Sequence, residues 1–227
     1  MARMIPDINP LCIENDGERR FYQAAQQLPD EYTVCYTYRY WQRESQEETE
    51  KFKESDFVIV HPQMGYVVVE VKQGIILYRD GNWYEYKNND YKILSKDPIK
   101  QAQDGMFAIL DEYKKRSGKP IFPLKLRFAL CFPESTRLEG IIPPELDPNG
   151  ILLFDDIENP SQLDIKIQQL FDPLYTEKYE ATDFLINTVL APSFKVFSRL
   201  EDEIEQFKMS SKHVLTEEQE RILYETE

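Results

Sequence analysis

The stretch Ser55–Gly74, SDFVIVHPQMGYVVVEVKQG, constrains this chain more than any other part of it. Two short apolar runs, Phe57–Val60 and Tyr66–Val71, are joined by His61-Pro62-Gln63-Met64-Gly65. Runs rich in Val and Ile and broken by Pro and Gly predict a β-hairpin. Asp56 stands at the start of the first run, and Glu70 and Lys72 at the end of the second. A charge in an apolar strand is costly unless it is paired or binds metal. Residues two apart on a strand share a face, which makes Glu70 and Lys72 co-facial. If Asp56 sits across from Glu70, their Cβ atoms lie roughly 5 Å apart and their carboxylates can share one cation. If the register slips by one residue, Asp56 points to the other face and the pair is lost. The cation-sharing register predicts an odd-length turn, Pro62-Gln63-Met64 closed by His61 and Gly65. Two oxygen ligands with a few waters suit octahedral Mg²⁺ or Mn²⁺. The plainer alternative is a half-buried Glu70–Lys72 salt bridge, with Asp56 as an ordinary strand-start residue.

Composition narrows the setting. The chain has 227 residues, 41% of them hydrophobic and 30% charged, the balance of a soluble globular protein with a proper core. It is long enough for one large domain, or for one domain with an appendage. No run approaches a membrane span, and MARMIPDINP lacks the apolar segment of a signal peptide. Cys12, Cys35 and Cys131 form no C-x-x-C pair, so reduced thiols and a cytoplasmic setting are expected. His61 and His213 are the only histidines, which excludes a histidine-rich metal site. The net charge of −14 argues against a generally basic nucleic-acid binder. Most of that acidity falls after residue 120, and the first half keeps Arg19, Arg20, Arg39, Arg43, Lys87, Lys92 and Lys100 to meet phosphates locally.

Along the chain, Asp16-Gly17 precedes a helical pattern over Glu18–Leu28 with Phe21, Ala25 and Leu28 on one face. Glu18 shares that face. It is either a first-turn acid favoured by the helix dipole or a carboxylate aimed into a site. Tyr32–Trp41 alternates with the period of a strand, and its tyrosines either cover a sheet face or stack bases. Gln42–Lys53 reads as an exposed charged connection, placed to close over a substrate. After the hairpin, Ile75–Arg79, Trp83–Lys87 and Tyr91–Leu94 are joined by Asp80-Gly81-Asn82 and Asn88-Asn89-Asp90 and predict a meander continuing the sheet. Asp97-Pro98 opens a helix that Gly118 ends. Leu124–Phe132 then predicts a strand parallel to an earlier one. A Pro-rich loop, a short strand at Ile151–Phe154 and a helix from Asn159-Pro160-Ser161 to Phe171 follow. Helices are expected over Tyr175–Leu190 and Ser198–Lys208. The pattern from Leu215 stops at Glu227 with nothing for Leu223 and Tyr224 to pack on, so the sequence reads as cut short at that end.

Several features taken together resemble the nuclease-related domain (NERD) family, a branch of the PD-(D/E)xK restriction-endonuclease-like superfamily. They are Glu18 in GERRFY, Asp56, Glu70-Val71-Lys72 followed by a Gly, and DGNWY after a short strand. Pro98-Ile99 with Gln101 at a helix start, Phe132-Pro133 after a strand, and Ile151–Asp156 complete them. The departure is Gln73-Gly74, where a small residue often follows the Lys directly. The resemblance implies an α/β fold, a restriction-endonuclease-like mixed sheet flanked by helices, with a helical C-terminal extension. It also implies metal-dependent cleavage of nucleic acid, DNA first of all. Asp56, Glu70 and Lys72 would form the catalytic core, with Gln101 near the site. Its metal set would be Asp56, Glu70 and Val71, with Glu18 as auxiliary ligand directly or through water. Gln101 is otherwise an ordinary polar residue in a helix's first turn.

Leu215-Thr216-Glu217-Glu218-Gln219 with Ile222-Leu223 is similar to the adenine-reading Q motif that opens UvrD-like superfamily 1 helicases, and Leu190–Phe194 looks like the segment that joins such a helicase to a NERD domain. That resemblance implies a covalently attached helicase, with Gln219 reading adenine once the module is complete. No G-x-x-x-x-G-K-[ST] occurs, so ATP hydrolysis is not expected of this chain alone. The expected organisation is a nuclease domain over 12–172, a helical connection over 173–212 and the start of a helicase over 213–227. It would serve DNA processing or defence against foreign DNA. The rival expectations are a weak or inactive module that guides DNA to the helicase, and an interaction module whose acidic half docks a basic partner.

Overall fold

The computed structural model describes residues 1–43, 50–171 and 180–196, together with residues 201, 204, 208 and 209. It has two compact units, Met1–Pro192 and Ser193–Glu227. In the second, Ser193–Val196 is irregular, and Glu201, Ile204, Lys208 and Met209 are helical. Most of Ser198–Lys208, all of Leu215–Glu227 with Gln219, and residues 172–179 lie outside the described residues.

The first unit is a restriction-endonuclease-like α/β fold. Its six-stranded mixed sheet has the order β1-β2-β3-β4-β8-β9. Its strands are β1 (Arg3–Ile5), β2 (Thr33–Arg43), β3 (Glu50–His61), β4 (Gly65–Val71), β8 (Lys125–Phe132) and β9 (Ile151–Leu153). The β2-β3-β4 portion is antiparallel, and β1 on β2, β8 on β4 and β9 on β8 are parallel. The strand β4 is buried from Gly65 to Val71, Glu70 included, as expected of a strand covered on both faces.

Alternation sorts the core into two layers. On one face Phe57, Ile59, Val67 and Val69 pack with Phe21, Ala24 and Ala25 of α1 (Asp16–Gln26). That layer is completed by α3 (Phe154–Glu158) and α4 (Pro160–Leu170). On the other face Val58, Val60, Tyr66 and Val68 pack with Ile99, Ala102, Met106 and Ile109 of α2 (Pro98–Ser117). Asp97 caps α2 through Ile99 N and Lys100 N, and Gly118 ends it with φ +68°, the expected boundaries. Late in this unit, α5 (Glu180–Phe184) widens into a π-helix over Leu185–Leu190.

Four expectations are corrected. The first helix begins at Asp16 with Asn15 as its cap, because the Asn15 side chain accepts from Glu18 N. It stops at Gln26, with Leu28 buried beyond its end. The charged connection is short: β2 runs to Arg43 and β3 starts at Glu50, pairing Tyr40–Arg43 with Glu50–Lys53. Its charged composition predicted an exposed connection, but backbone pairing extends the two strands into it. The meander does not extend the main sheet. The strands β5 (Ile76–Arg79), β6 (Asn82–Lys87) and β7 (Asp90–Ile93) form a separate three-stranded sheet, since β4 has its second edge taken by β8.

The fourth correction concerns alternation in β2. Cys35 packs in the α2 layer and Tyr36 in the α1 layer, but Tyr38 and Tyr40 again face the α2 layer. The switch falls at Thr37, whose φ of +58° is left-handed. Its neighbours pair Tyr36 with Phe57 and Tyr38 with Ser55, leaving Asp56 across from Thr37. The backbone irregularity is therefore beside Asp56, at the point where the site lies.

Candidate active site

The hairpin register is the one that brings the acids together. His61 pairs with Gly65 and Phe57 with Val69, around the three-residue turn Pro62-Gln63-Met64. Continued one step, this register sets Asp56 across from Glu70. The backbone ladder stops at Phe57–Val69, however, and a side chain replaces its next rung: Asp56 Oδ2 accepts from Val71 N at 2.8 Å. The β3–β4 pairing ends at this point, and Asp56, Glu70 and Lys72 follow directly on it.

Glu70 is buried, while Asp56 and Lys72 are partly buried. Lys72 N donates to Cys131 O at 2.8 Å, which pins the chain after β4 against the end of β8. Its Nζ donates to Glu70 Oε1 at 2.6 Å. Glu70 Oε2 is buried and has no hydrogen-bond partner. Burial first, and then the neighbouring Glu70 charge, push the Asp56 carboxyl above its ordinary range, against the Val71 N–H and the Lys72 ammonium. Burial also raises Glu70, opposed by Lys72 and Lys96, with Glu18 adding to the rise.

Glu18 arrives from the other layer. A Cβ at Gly17 would lie 3.0 Å from Pro133 Cγ and 3.4 Å from Val71 Cγ1, so a glycine here lets the start of α1 close on the end of β4. Glu18 Oε2 accepts from Tyr36 OH at 2.8 Å. Burial and this contact push the Tyr36 phenol up to about 12, so it stays a donor. The two readings of Glu18 are compatible: it is a first-turn acid, and its charge reaches both Asp56 and Glu70.

The structure thus brings Asp56, Glu70, Val71, Lys72 and Glu18 together. It places Gln101 in the first turn of α2, partly buried. Among the described residues no hydrogen bond or ion pair joins Gln101 to Asp56, Glu70 or Lys72. Tyr36 and Lys96 are site neighbours that sequence reasoning missed. Tyr36 was one tyrosine of an alternating run, and only its hydrogen bond to Glu18 of α1 distinguishes it. Lys96 is distant along the chain from Glu70 and nears it through the α2 start.

An oxygen-only donor set with an orphaned buried carboxylate oxygen fits a hard divalent cation. Among the described residues no three His, Cys, Asp or Glu side chains form a metal-holding group, so a cation here would draw on main chain and water as well. Val71 can contribute only its carbonyl. The three cysteines are free, and no described helix is long and apolar enough to cross a membrane.

No curated protein and no solved structure gives a significant match to this chain. The family profile described as nuclease-related domain, NERD, matches residues 13–128. That range holds Glu18, Asp56, Glu70, Lys72 and Gln101, and it spans half the chain: the protein belongs to the nuclease-related domain family.

Proposed function

We propose that this chain is a divalent-cation-dependent nuclease domain that hydrolyses phosphodiester bonds, with DNA as its substrate. The observation that carries the reading is a partly buried Asp56 beside the buried Glu70, whose second oxygen is unpartnered next to the Lys72 ammonium. Two acids that burial and mutual repulsion oppose have a poor structural rationale alone, and they are suited to holding Mg²⁺ or Mn²⁺ with the Val71 carbonyl. Such a cation, when bound, neutralises phosphodiester charge and acidifies a water. Lys72, held by Glu70 Oε1, supplies an N–H donor to charge developing on the phosphate. Glu18 acts through water or through Tyr36, consistent with its hydrogen bond to that phenol. Gln101 contributes from the α2 start. The test is incubation of wild type, Asp56→Asn and Lys72→Ala with single- and double-stranded DNA and RNA in Mg²⁺ or Mn²⁺. Cleavage that survives both substitutions sinks the assignment.

The net charge of −14 favours a second reading, a binding module that guides DNA to an attached helicase without cutting it. Salt-dependent binding with no metal-dependent cleavage is its signature. The helicase attachment itself rests on the likeness around Gln219, as does the role in DNA processing or defence, and a cytoplasmic setting belongs to the same proposal.

Two further results are expected. Glu18→Gln keeps a partner for Tyr36 and removes one charge. It should weaken metal activation by about 10- to 100-fold, the scale for residues that orient metal ligands, as read from metal titrations of cleavage. A direct ligand role would instead match the Asp56 loss. The second concerns pH. Asp56 and Glu70 have folded-state values raised above their unfolded ones. The folded protein therefore holds more protons than the unfolded chain above the ordinary carboxylate range of about 4, and stability falls as pH rises through that range toward the raised values. Thermal midpoints in EDTA should fall from about pH 5 upward, and Mn²⁺ should restore them most at the higher pH. Midpoints that rise with pH in EDTA contradict the repelling pair.

A further inference from the structure

The segment DGNWY belongs to β5–β7, a sheet to which the site gives no task. Alternation sorts this sheet into two faces. Ile76, Tyr78 and Trp83 turn to the core, with the Tyr78 and Trp83 rings 4.9 Å apart. The register pairs Leu77 with Tyr84, Tyr84 with Ile93, and Tyr86 with Tyr91 on the opposite face. Ile93 is 65% exposed, Ile75 59%, Tyr91 43% and Tyr86 40%, so the apolar side chains there are contiguous rather than scattered, the pattern of an interaction surface. The Tyr86 and Tyr91 rings are 5.1 Å apart. The Arg79 guanidinium lies 5.5 Å from the centre of the Tyr84 ring.

Charge selects the occupant. Arg79 is the one charged side chain on that face of the strands. Its acidic neighbour Asp80, 3.9 Å away, lies in the turn and is 86% exposed. In a chain of net charge −14, an aromatic face with a cation and no strand carboxylate is complementary to a polyanion that carries rings. Position agrees. Ile75 is three residues from Lys72, which places the start of the face within about 11 Å of it along the chain.

We propose that the outward face of β5–β7 is a stacking platform for unpaired nucleotides of the substrate strand. Tyr84, Tyr86 and Tyr91 offer π-faces that any base accepts. Arg79 stacks on a base or pairs with a phosphate. A duplex keeps its bases stacked on each other and gains little from such a surface, so the platform favours single-stranded substrate. This deepens the nuclease reading and rests on it for the identity of the strand.

The experiment measures anisotropy of labelled oligothymidylate and of a blunt duplex in EDTA, where no cleavage occurs. Its variants are Tyr86→Ala with Tyr91→Ala, Tyr86→Phe with Tyr91→Phe, and Arg79→Ala. The alanine pair should weaken oligothymidylate binding about tenfold or more, the scale of a lost stacked base, and leave duplex binding and the thermal midpoint unchanged. The phenylalanine pair should bind as wild type, because the ring and not the hydroxyl stacks. Arg79→Ala should weaken single-strand binding and flatten its salt dependence. Undiminished oligothymidylate binding in the alanine pair overturns the platform, as does an equal loss for duplex. A change in sedimentation without a change in oligonucleotide binding also overturns it, since another copy of the chain then covers the face. Selective single-strand binding in a protein that never cleaves supports the platform while removing the nuclease reading. Cleavage with unaltered strand preference in the alanine pair does the reverse.

Discussion

Asp56→Asn and Lys72→Ala are each expected to lower metal-dependent phosphodiester cleavage by about a thousandfold or more, in the range for losing a group that stabilises transition-state charge. The asparagine is chosen for what it keeps. Its side-chain oxygen can still accept from Val71 N, so the 2.8 Å contact that replaces the last hairpin rung survives. What it removes is one of two acids that burial opposes. The thermal midpoint of Asp56→Asn in EDTA should therefore equal or exceed that of wild type while activity disappears. That split separates a functional acid from a structural one. If Asp56 were only a strand-end cap, asparagine would leave both activity and stability near wild type. Lys72→Ala differs: it leaves Glu70 with neither oxygen partnered. It should lose activity and also weaken the fold in EDTA at neutral pH, where an unpaired buried acid is most costly.

Gly65→Ala is expected to destabilise the protein by about 3 kcal/mol or more, through strain of about 1–3 kcal/mol and overpacking of similar size. Gly65 has φ +128°, and a Cβ there would stand 1.8 Å from Lys125 O. The obstacle is backbone of the paired strand β8, which has no rotamer by which to yield. Gly118→Ala is the control. Its φ of +68° is also left-handed, but nothing lies within 4 Å of the added carbon, so it should cost only about 1–2 kcal/mol. Urea midpoints with unchanged slopes measure both. A Gly65→Ala loss no greater than that of Gly118→Ala means that β8 does not approach β4 as described. The consequence reaches function, because Gly65 closes the turn that sets which residue faces Glu70.

How far sequence reaches is visible in this same hairpin. Pro62 and Gly65 announce a turn, and the co-facial Glu70 and Lys72 follow from strand period, so the hairpin and its charges were legible from local rules, whereas the pairing of His61 with Gly65 chose between the two registers. The caps of α2 were legible for the same reason: Asp97, Pro98 and Gly118 act on their own backbone. The layer switch at Thr37 was not, because threonine does not announce a left-handed φ and only pairing with β3 imposes it. Nor was the separation of β5–β7 from the main sheet, which depends on β8 taking the free edge of β4 from far along the chain.

The sequence by itself determined the central hairpin, the charges within it and the family to which the chain belongs, since these follow from apolar patterning, turn residues and motifs close in sequence, and it narrowed the register to two choices. Only the tertiary structure decided that the ladder ends one rung before Asp56, that Glu70 keeps an oxygen without a partner, and that Glu18 enters from the opposite layer through Tyr36. Those are matters of which backbone closes on which. Burial and repulsion between groups arise only when distant segments are packed into one place.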